Sequence, residues 1–407
     1  MQHRIPATTD ARRAAQALAV SSCVHCGFCL PACPTYTVLG EEMDSPRGRI
    51  VLMKEVLEGA LPLADAAPHL ERCLGCLACE TACPSGVRYR DLIEPMRADL
   101  VAARPAPARA QLDVLLRVMA SPALFRVAAA VGAGAKALTP LLPQRLSAAL
   151  ALLPPSLPAP TAMPPLTPAR GPRRGRVALM TGCVQSVLRP SITEAAGAVL
   201  AANGIEVVVP TAQGCCGALA LHSGAHARGH AQAEMHAASF PRDVDAVIAT
   251  AAGCGSSMKD THRGTAPILD IHEYLDAVGL TTPLLLPAPA TVAYQDACHL
   301  AHAQQVTSAP RRLLQRIDGV TLVPIAEPGL CCGSAGLYNL EQPAIAAALG
   351  RRKAAAVVAS GATLMASANI GCLTQLEGAL AAAGSTVTAL HSVELLALAL
   401  SSRHTGQ

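Results

Sequence analysis

The chain has 407 residues, too many for one ordinary core, so two or three domains are expected. Hydrophobic residues make up 51% and aromatics only 2%, with no Trp, so the core is built from Ala, Leu and Val, which suits helices and buried parallel strands. The net charge of +4 comes without a basic stripe carrying interleaved aromatics and gives no sign of a nucleic-acid partner.

In chain order, a helix is predicted over residues 10–20, capped by Thr9 or Asp10. Ser45-Pro46 reads as an N-cap with Pro at the first helical position, and Ile50, Met53, Val56 and Leu57 follow at helical spacing up to Gly59. A further helix is predicted from Asp91 to Ala103. Residues 104–175 are rich in Ala, Leu and Pro, and the eight prolines between Pro154 and Pro172 read as an extended tether. From Arg176 strands and helices alternate, with strands at Val177–Met180, Ile205–Val209 and Val244–Thr250 and a helix at Ser191–Ala202, the rhythm of a parallel sheet. The N-terminus has no apolar signal core, and Leu115–Leu153 is too interrupted by Arg, Lys and Pro to cross a membrane. That stretch reads as an amphipathic docking surface or as packing.

Of sixteen cysteines, most cluster at two-residue gaps or stand as adjacent pairs, a spacing for metal rather than for disulfide staples, and point to a reducing cytoplasm. Cys23, Cys26, Cys29 and Cys33-Pro34 form one C-x2-C-x2-C-x3-C-P run, and Cys73, Cys76, Cys79 and Cys83-Pro84 form another. Such a loop sets three thiolates on three corners of an iron–sulfur cube, and in paired runs the fourth cysteine serves the other cluster. Cys23, Cys26, Cys29 and Cys83 are therefore assigned to one [4Fe–4S] cluster and Cys73, Cys76, Cys79 and Cys33 to a second. Zinc and disulfides fit this spacing poorly. His25, inside the first run, reads as a surface residue of the loop. Two clusters make a wire, and no catalytic residues stand beside them.

The second half is duplicated. Cys183, Cys215-Cys216-Gly217, Cys254 and His272 recur as Cys298, Cys331-Cys332-Gly333, Cys372 and His391, with gaps of 32 and 33, then 38 and 40, then 18 and 19 residues. The boundary between copies is expected at Pro287–Ala290. Every cysteine of a copy falls at a strand end, where an open α/β sheet gathers its loops, so four thiolates per copy can meet at a further redox or cluster site. The neighbouring histidines His272, His299 and His391 read equally as tuning groups, caps or core residues. His222, His226, His230 and His236 read as one helix face. No dinucleotide fingerprint or phosphate loop is found, so no flavin or nicotinamide is expected on this chain.

The stretch Cys23-Val-His-Cys26-Gly-Phe-Cys29, Cys33-Pro34-Thr35-Tyr36 and Asp44-Ser-Pro-Arg-Gly-Arg-Ile50, followed by two Cys-Cys-Gly domains, resembles the iron–sulfur subunits of glycolate oxidase. The resemblance spans nearly the whole chain and is weakest over 104–175. It implies an α+β multidomain protein: a mainly helical two-cluster ferredoxin module (1–103), a helical, Pro-rich linker (104–175) and two α/β Cys-Cys-Gly domains (176–288 and 289–407). It also implies flavin-binding partner subunits that oxidise glycolate, a membrane quinone or electron carrier as acceptor, and a peripheral place on the inner face of the cell membrane. Iron–sulfur subunits of lactate- and glycerol-3-phosphate-oxidising complexes share the layout, and heterodisulfide reductase shares the Cys-Cys-Gly domains. In the reductase pattern each repeat ends in C-x2-C, whereas here Ser257 and Gln375 stand at that offset, which argues against disulfide-reducing chemistry.

Overall fold

The structure, a computed structural model, describes residues 1–401 apart from residue 263; the last six residues of the predicted 289–407 domain lie outside it. The N-terminal module is helical: α1 (Ala11–Ser22), α2 (Pro34–Leu39), α3 (Pro46–Leu57), α4 (Leu63–Glu71), α5 (Ala78–Thr81) and α6 (Arg90–Ala103). The expected caps form. Asp10 accepts from the N–H of Arg12, and Ser45 accepts from the N–H of Gly48 ahead of Pro46. Val20, Ile50, Met53, Leu70, Leu92 and Met96 make its core.

The next segment folds as α7 (Ala106–Ala120), α8 (Pro122–Gly134) and α9 (Gln144–Ala151). Among the described residues no single helix is long and apolar enough to cross a membrane; α7 and α8 together are, but they bend by 101°. The Pro-rich stretch is more than a tether at its far end. There β1 (Leu166–Thr167) joins a sheet as an edge strand, a place that tolerates flanking prolines.

The first repeat comprises β2 (Gly175–Leu179), α10 (Gln185–Leu188), α11 (Ser191–Ala202), β3 (Ile205–Val208), α12 (Ala218–His222), α13 (His226–Ala238), β4 (Ala246–Ala249), α14 (Ala252–Thr261), β5 (Ile268–Asp270) and α15 (Ile271–Val278). The second comprises β6 (Leu284–Gln295), α16 (Ala309–Gln315), β7 (Ile317–Val323), α17 (Tyr338–Glu341), α18 (Pro343–Ala359), β8 (Leu364–Ser367), α19 (Ile370–Ala382), β9 (Thr388–His391) and α20 (Ser392–Ser401). Strand order is β3-β2-β4-β5 in the first sheet, with β1 antiparallel outside β3, and β7-β6-β8-β9 in the second, all parallel. The two copies thus share one topology, and Ile192 and Leu200 of one share a continuous core with Val393 and Leu396 of the other.

The expected boundary at Pro287–Ala290 lies along β6, which starts at Leu284. The prolines sit where the register with β7 shifts between Leu285 and Ala290, before β8 begins to pair at Val292, so their missing N–H groups leave no gap in the ladder. His222, His226, His230 and His236 do not share a helix: α12 ends at His222 and the chain turns through Gly224 before α13. Gly224 has φ +85°, and a Cβ there would stand 2.4 Å from the Arg97 carbonyl oxygen of α6.

Candidate metal centres

The two cysteine runs trace the same backbone. His25 and Gly75 occupy equivalent positions with φ of 58° and 67°, and Gly27 and Leu77 follow with 85° and 62°. Left-handed residues alternating along a loop turn successive N–H groups towards one side, which makes a cradle for a negatively charged group. His25 is exposed and serves this turn. Arg47 braces the first loop by donating to the His25 carbonyl at 3.2 Å while it pairs with Glu42 at 2.8 Å.

Each loop curls over a cavity, and the fourth cysteines are exchanged. Cys23, Cys26, Cys29 and Cys83 line one cavity, Cys33, Cys73 and Cys76 line the other, and Cys79 stands in the wall of both. The thiols surround a space rather than a point: among the described residues no three His, Cys, Asp or Glu side chains close at the distance one metal ion takes. Four thiols around a cavity, with amides turned inward, suit the donor demand of a multi-iron cluster. Burial raises the Cys29 thiol to about 11 and pushes Cys79 well up, as expected of thiols that ionise only against a cation.

Beside the second cavity lies a charge that motif spacing alone does not assign a role. Arg49 is 1% exposed, donates to Thr35 Oγ1 at 3.0 Å and reaches Cys33 Sγ at 3.9 Å. Its ion pair with the equally buried Asp44 is 3.2 Å long, and Arg72 closes on the same carboxylate at 2.9 Å. A cation fixed in a dry wall favours the more reduced, more negative state of whatever the thiols hold. The buried position of Arg49 shows only in three dimensions.

In the duplicated half, the loops after the first three strands of each copy bring cysteines together in pairs. Cys183 Sγ lies 3.7 Å from Cys215 Sγ, and Cys216 hydrogen-bonds Cys254. In the second copy Cys298 bonds Cys331, and Cys332 bonds Cys372. In both, hydrogen bonds shift the first member of the adjacent pair down, and in the second copy Cys372 is shifted down as well. Bonds from Cys183 and Cys216 hold Cys215 down, and bonds from Cys298 and Cys332 do the same for Cys331. Gly217 and Gly333, with φ of +81° and +92°, let the pair lie against a helix: a Cβ would come within 2.2 Å of the Gly229 carbonyl or 2.6 Å of the Ala346 carbonyl.

The histidines separate into three roles. His272 and His391 lie within the core: His272 bonds Asp270 at 2.7 Å and Ser392 at 2.6 Å, and His391 bonds the Thr250 carbonyl at 2.8 Å. They stitch the copies together. His236 is buried against Phe240, near Cys215. His299 approaches Cys298 Sγ at 3.5 Å and meets His222 at 4.9 Å, joining the two repeats in a cavity that Cys73, Arg97 and Tyr338 also line.

The ferredoxin module contacts the two copies differently. Leu74, Cys76 and Ala78 share one packed, buried cluster with Cys298, Leu330, Cys331 and Tyr338 of the second copy, and the Tyr338 hydroxyl donates to the Arg72 carbonyl at 2.8 Å. Against the first copy the contact is mixed: Val101 packs beside Leu219 and Ala220, while Arg90 lies 3.7 Å from Asp260 and Arg97 donates to the His222 carbonyl at 3.0 Å.

Residues 19–87 match the family described as a 4Fe-4S dicluster domain, and residues 177–259 and 292–377 each match the cysteine-rich CCG domain. The chain is 37% identical to the glycolate oxidase iron-sulfur subunit of Escherichia coli (strain K12), over 97% of this chain and 98% of that protein. It is 34% identical to the probable glycolate oxidase iron-sulfur subunit of Bacillus subtilis (strain 168), over 92% and 93%. Lactate utilization protein A of an Exiguobacterium strain is 27% identical over 54% of this chain and 96% of that protein. A crystal structure of a hypothetical protein from Helicobacter pylori, 10% identical, covers 97% of this chain and 74% of that one with a TM-score of 0.56, a likeness of fold. With paired cysteine runs, a duplicated Cys-Cys-Gly half and relatives similar from end to end, the chain belongs to the family of glycolate oxidase iron–sulfur subunits, the electron-transfer components of a hydroxy-acid-oxidising complex.

Proposed function

We propose that this chain accepts electrons from flavin-binding oxidase subunits that oxidise a 2-hydroxy acid, glycolate foremost, and delivers them to a membrane quinone or electron carrier. It carries no flavin or nicotinamide of its own in this reading and sits peripherally on the inner face of the cell membrane. Cys23, Cys26, Cys29 and Cys83 hold one [4Fe–4S] cluster, and Cys33, Cys73, Cys76 and Cys79 hold another. Cys298, Cys331, Cys332 and Cys372 form a third redox centre, and Cys183, Cys215, Cys216 and Cys254 form its counterpart. The clusters, when bound, supply one-electron storage.

The protein sets order and direction. At the first run Cys26 is exposed, and Val24 and Phe28, each 65% exposed, offer an apolar rim on which a donor subunit can seat. The second run is drier, with Cys76 buried and Arg49 fixing positive charge beside it. The observation that carries the reading is the shared packing of Cys76 with Cys298 and Cys331, which brings the second run into buried contact with the second repeat. The test is anaerobic reduction of the purified complex with glycolate. Reduced-cluster EPR signals are expected in the wild type; in Cys29→Ser one cluster is lost while the other is partly assembled. Unchanged iron content in that variant overturns the ligand assignment.

A further inference from the structure

The segment with the least telling sequence closes a cavity of about 290 Å³ against both repeats. Phe125, Ala129 and Gly132 of α8 and Leu150 of α9 form its walls. Its floor is the backbone beside the cysteine centres. Val184 follows Cys183, Ser334 follows Cys332-Gly333, and Gly371 precedes Cys372. One polar group in this apolar space is unanswered. Asn339, 5% exposed, donates through Nδ2 to Gln375 at 2.6 Å, while its Oδ1 has no hydrogen-bond partner among the described residues. A buried carbonyl oxygen without a partner has lost its water and gained nothing in return, a loss that a ligand O–H would recover. The outer side of the same helix is also apolar. Leu124, Val127 and Val131, at i, i+3 and i+7, are 52%, 65% and 69% exposed, and Ala128 stands exposed at the mouth.

We infer that this cavity binds the head of a lipophilic quinone, entering past Ala128 from the lipid that α8 faces, with Asn339 Oδ1 accepting from the quinol hydroxyl. An apolar pocket beside redox thiols selects a lipophilic redox partner, and an apolar outer stripe beside its mouth selects lipid as the source. The chemistry balances. Oxidation of a 2-hydroxy acid to the 2-oxo acid leaves two electrons for the clusters and two protons for solvent at the partner subunit. Reduction of the quinone to the quinol takes up those two electrons, one at a time, and two protons from solvent at the cavity mouth.

This inference rests on the proposed function, and its test is chosen to fail separately. The cluster-loaded chain is irradiated with an azido derivative of a short-chain benzoquinone, with and without excess unmodified quinone, and labelled peptides are mapped. Labelling is expected in residues 115–153 and 334–374, abolished by excess quinone and lost in Ala128→Phe, an exposed site where the added ring plugs the mouth without disturbing the core. Asn339→Leu is expected to weaken protection by the quinol more than by the quinone. Labelling elsewhere, or labelling in this region that neither competitor nor Ala128→Phe diminishes, overturns the site even where glycolate still reduces the clusters.

Discussion

The two repeats share strand order, a cysteine pattern and an adjacent pair whose first thiol is shifted down, yet the ferredoxin module meets them through unlike surfaces. Against the second it lays Leu74, Cys76 and Ala78 into a dry apolar patch around Cys298 and Cys331. Against the first it sets Arg90, Glu94 and Arg97 opposite Asp260 and His222. Exposure follows the same division: all four cysteines of the second repeat are buried, whereas Cys183 and Cys254 of the first are partly open. Duplication supplied two equivalent pockets, and docking made them inequivalent. A buried apolar contact lowers the local dielectric around the thiols, while a charged one orients and holds.

A matched pair of substitutions measures how far the two repeats differ. Cys331→Ser is expected to abolish glycolate-dependent acceptor reduction while both ferredoxin clusters still reduce, and Cys215→Ser to leave most of the turnover. Equal losses, measured by steady-state rate alongside EPR, would make the repeats equivalent after all. Next come the glycines. Gly217→Ala and Gly333→Ala each force a Cβ onto a carbonyl oxygen at a left-handed position and should cost about 2–4 kcal/mol of unfolding free energy. Gly217→Ala should cost more, since its contact is 2.2 Å against 2.6 Å. Chemical denaturation of the two variants checks the order.

The smallest effect belongs to the polar contact. Burial, then the Asp260 carboxylate, push Glu94 up to about 7 from an ordinary 4.5. The unfolded chain therefore loses this proton first, and native stability falls as pH rises from about 4.5 through about 7, then levels. Glu94→Gln removes the penalty. It should leave stability unchanged near pH 4 and raise it by about 2 kcal/mol at pH 8. A pH-independent gain in melting temperature would place the cause elsewhere.

What the sequence made legible is what neighbouring residues encode. The caps at Asp10 and Ser45, the paired runs and the doubled order of Cys, Cys-Cys-Gly, Cys and His all reappear in space because each depends on local geometry or on strand ends. What stayed hidden depends on docking. Ala, Leu and Pro between 104 and 175 pack against almost any apolar surface, so composition could not show α8 closing a cavity over Cys372. The spacing of His222, His226, His230 and His236 imitates one helix face because the break at Gly224 preserves it. Arg49 looks like any helix-borne arginine until Asp44, Thr35 and Cys33 surround it.

The exchange of Cys33 and Cys83 also has a mechanical side. Each cavity is completed by a residue about fifty positions away in the chain, so filling either one ties the ends of the same long loop. Closing a loop of that length removes several kcal/mol of chain entropy from the unfolded ensemble, and the second closure comes cheaply once the first has been made. Assembly of the two centres should therefore be cooperative: partial iron loading yields a mixture of empty and doubly filled chains rather than a population with one centre each. Under the proposed ligand assignment the pair acts as a rivet as well as a wire, added to the apolar core of the helical module.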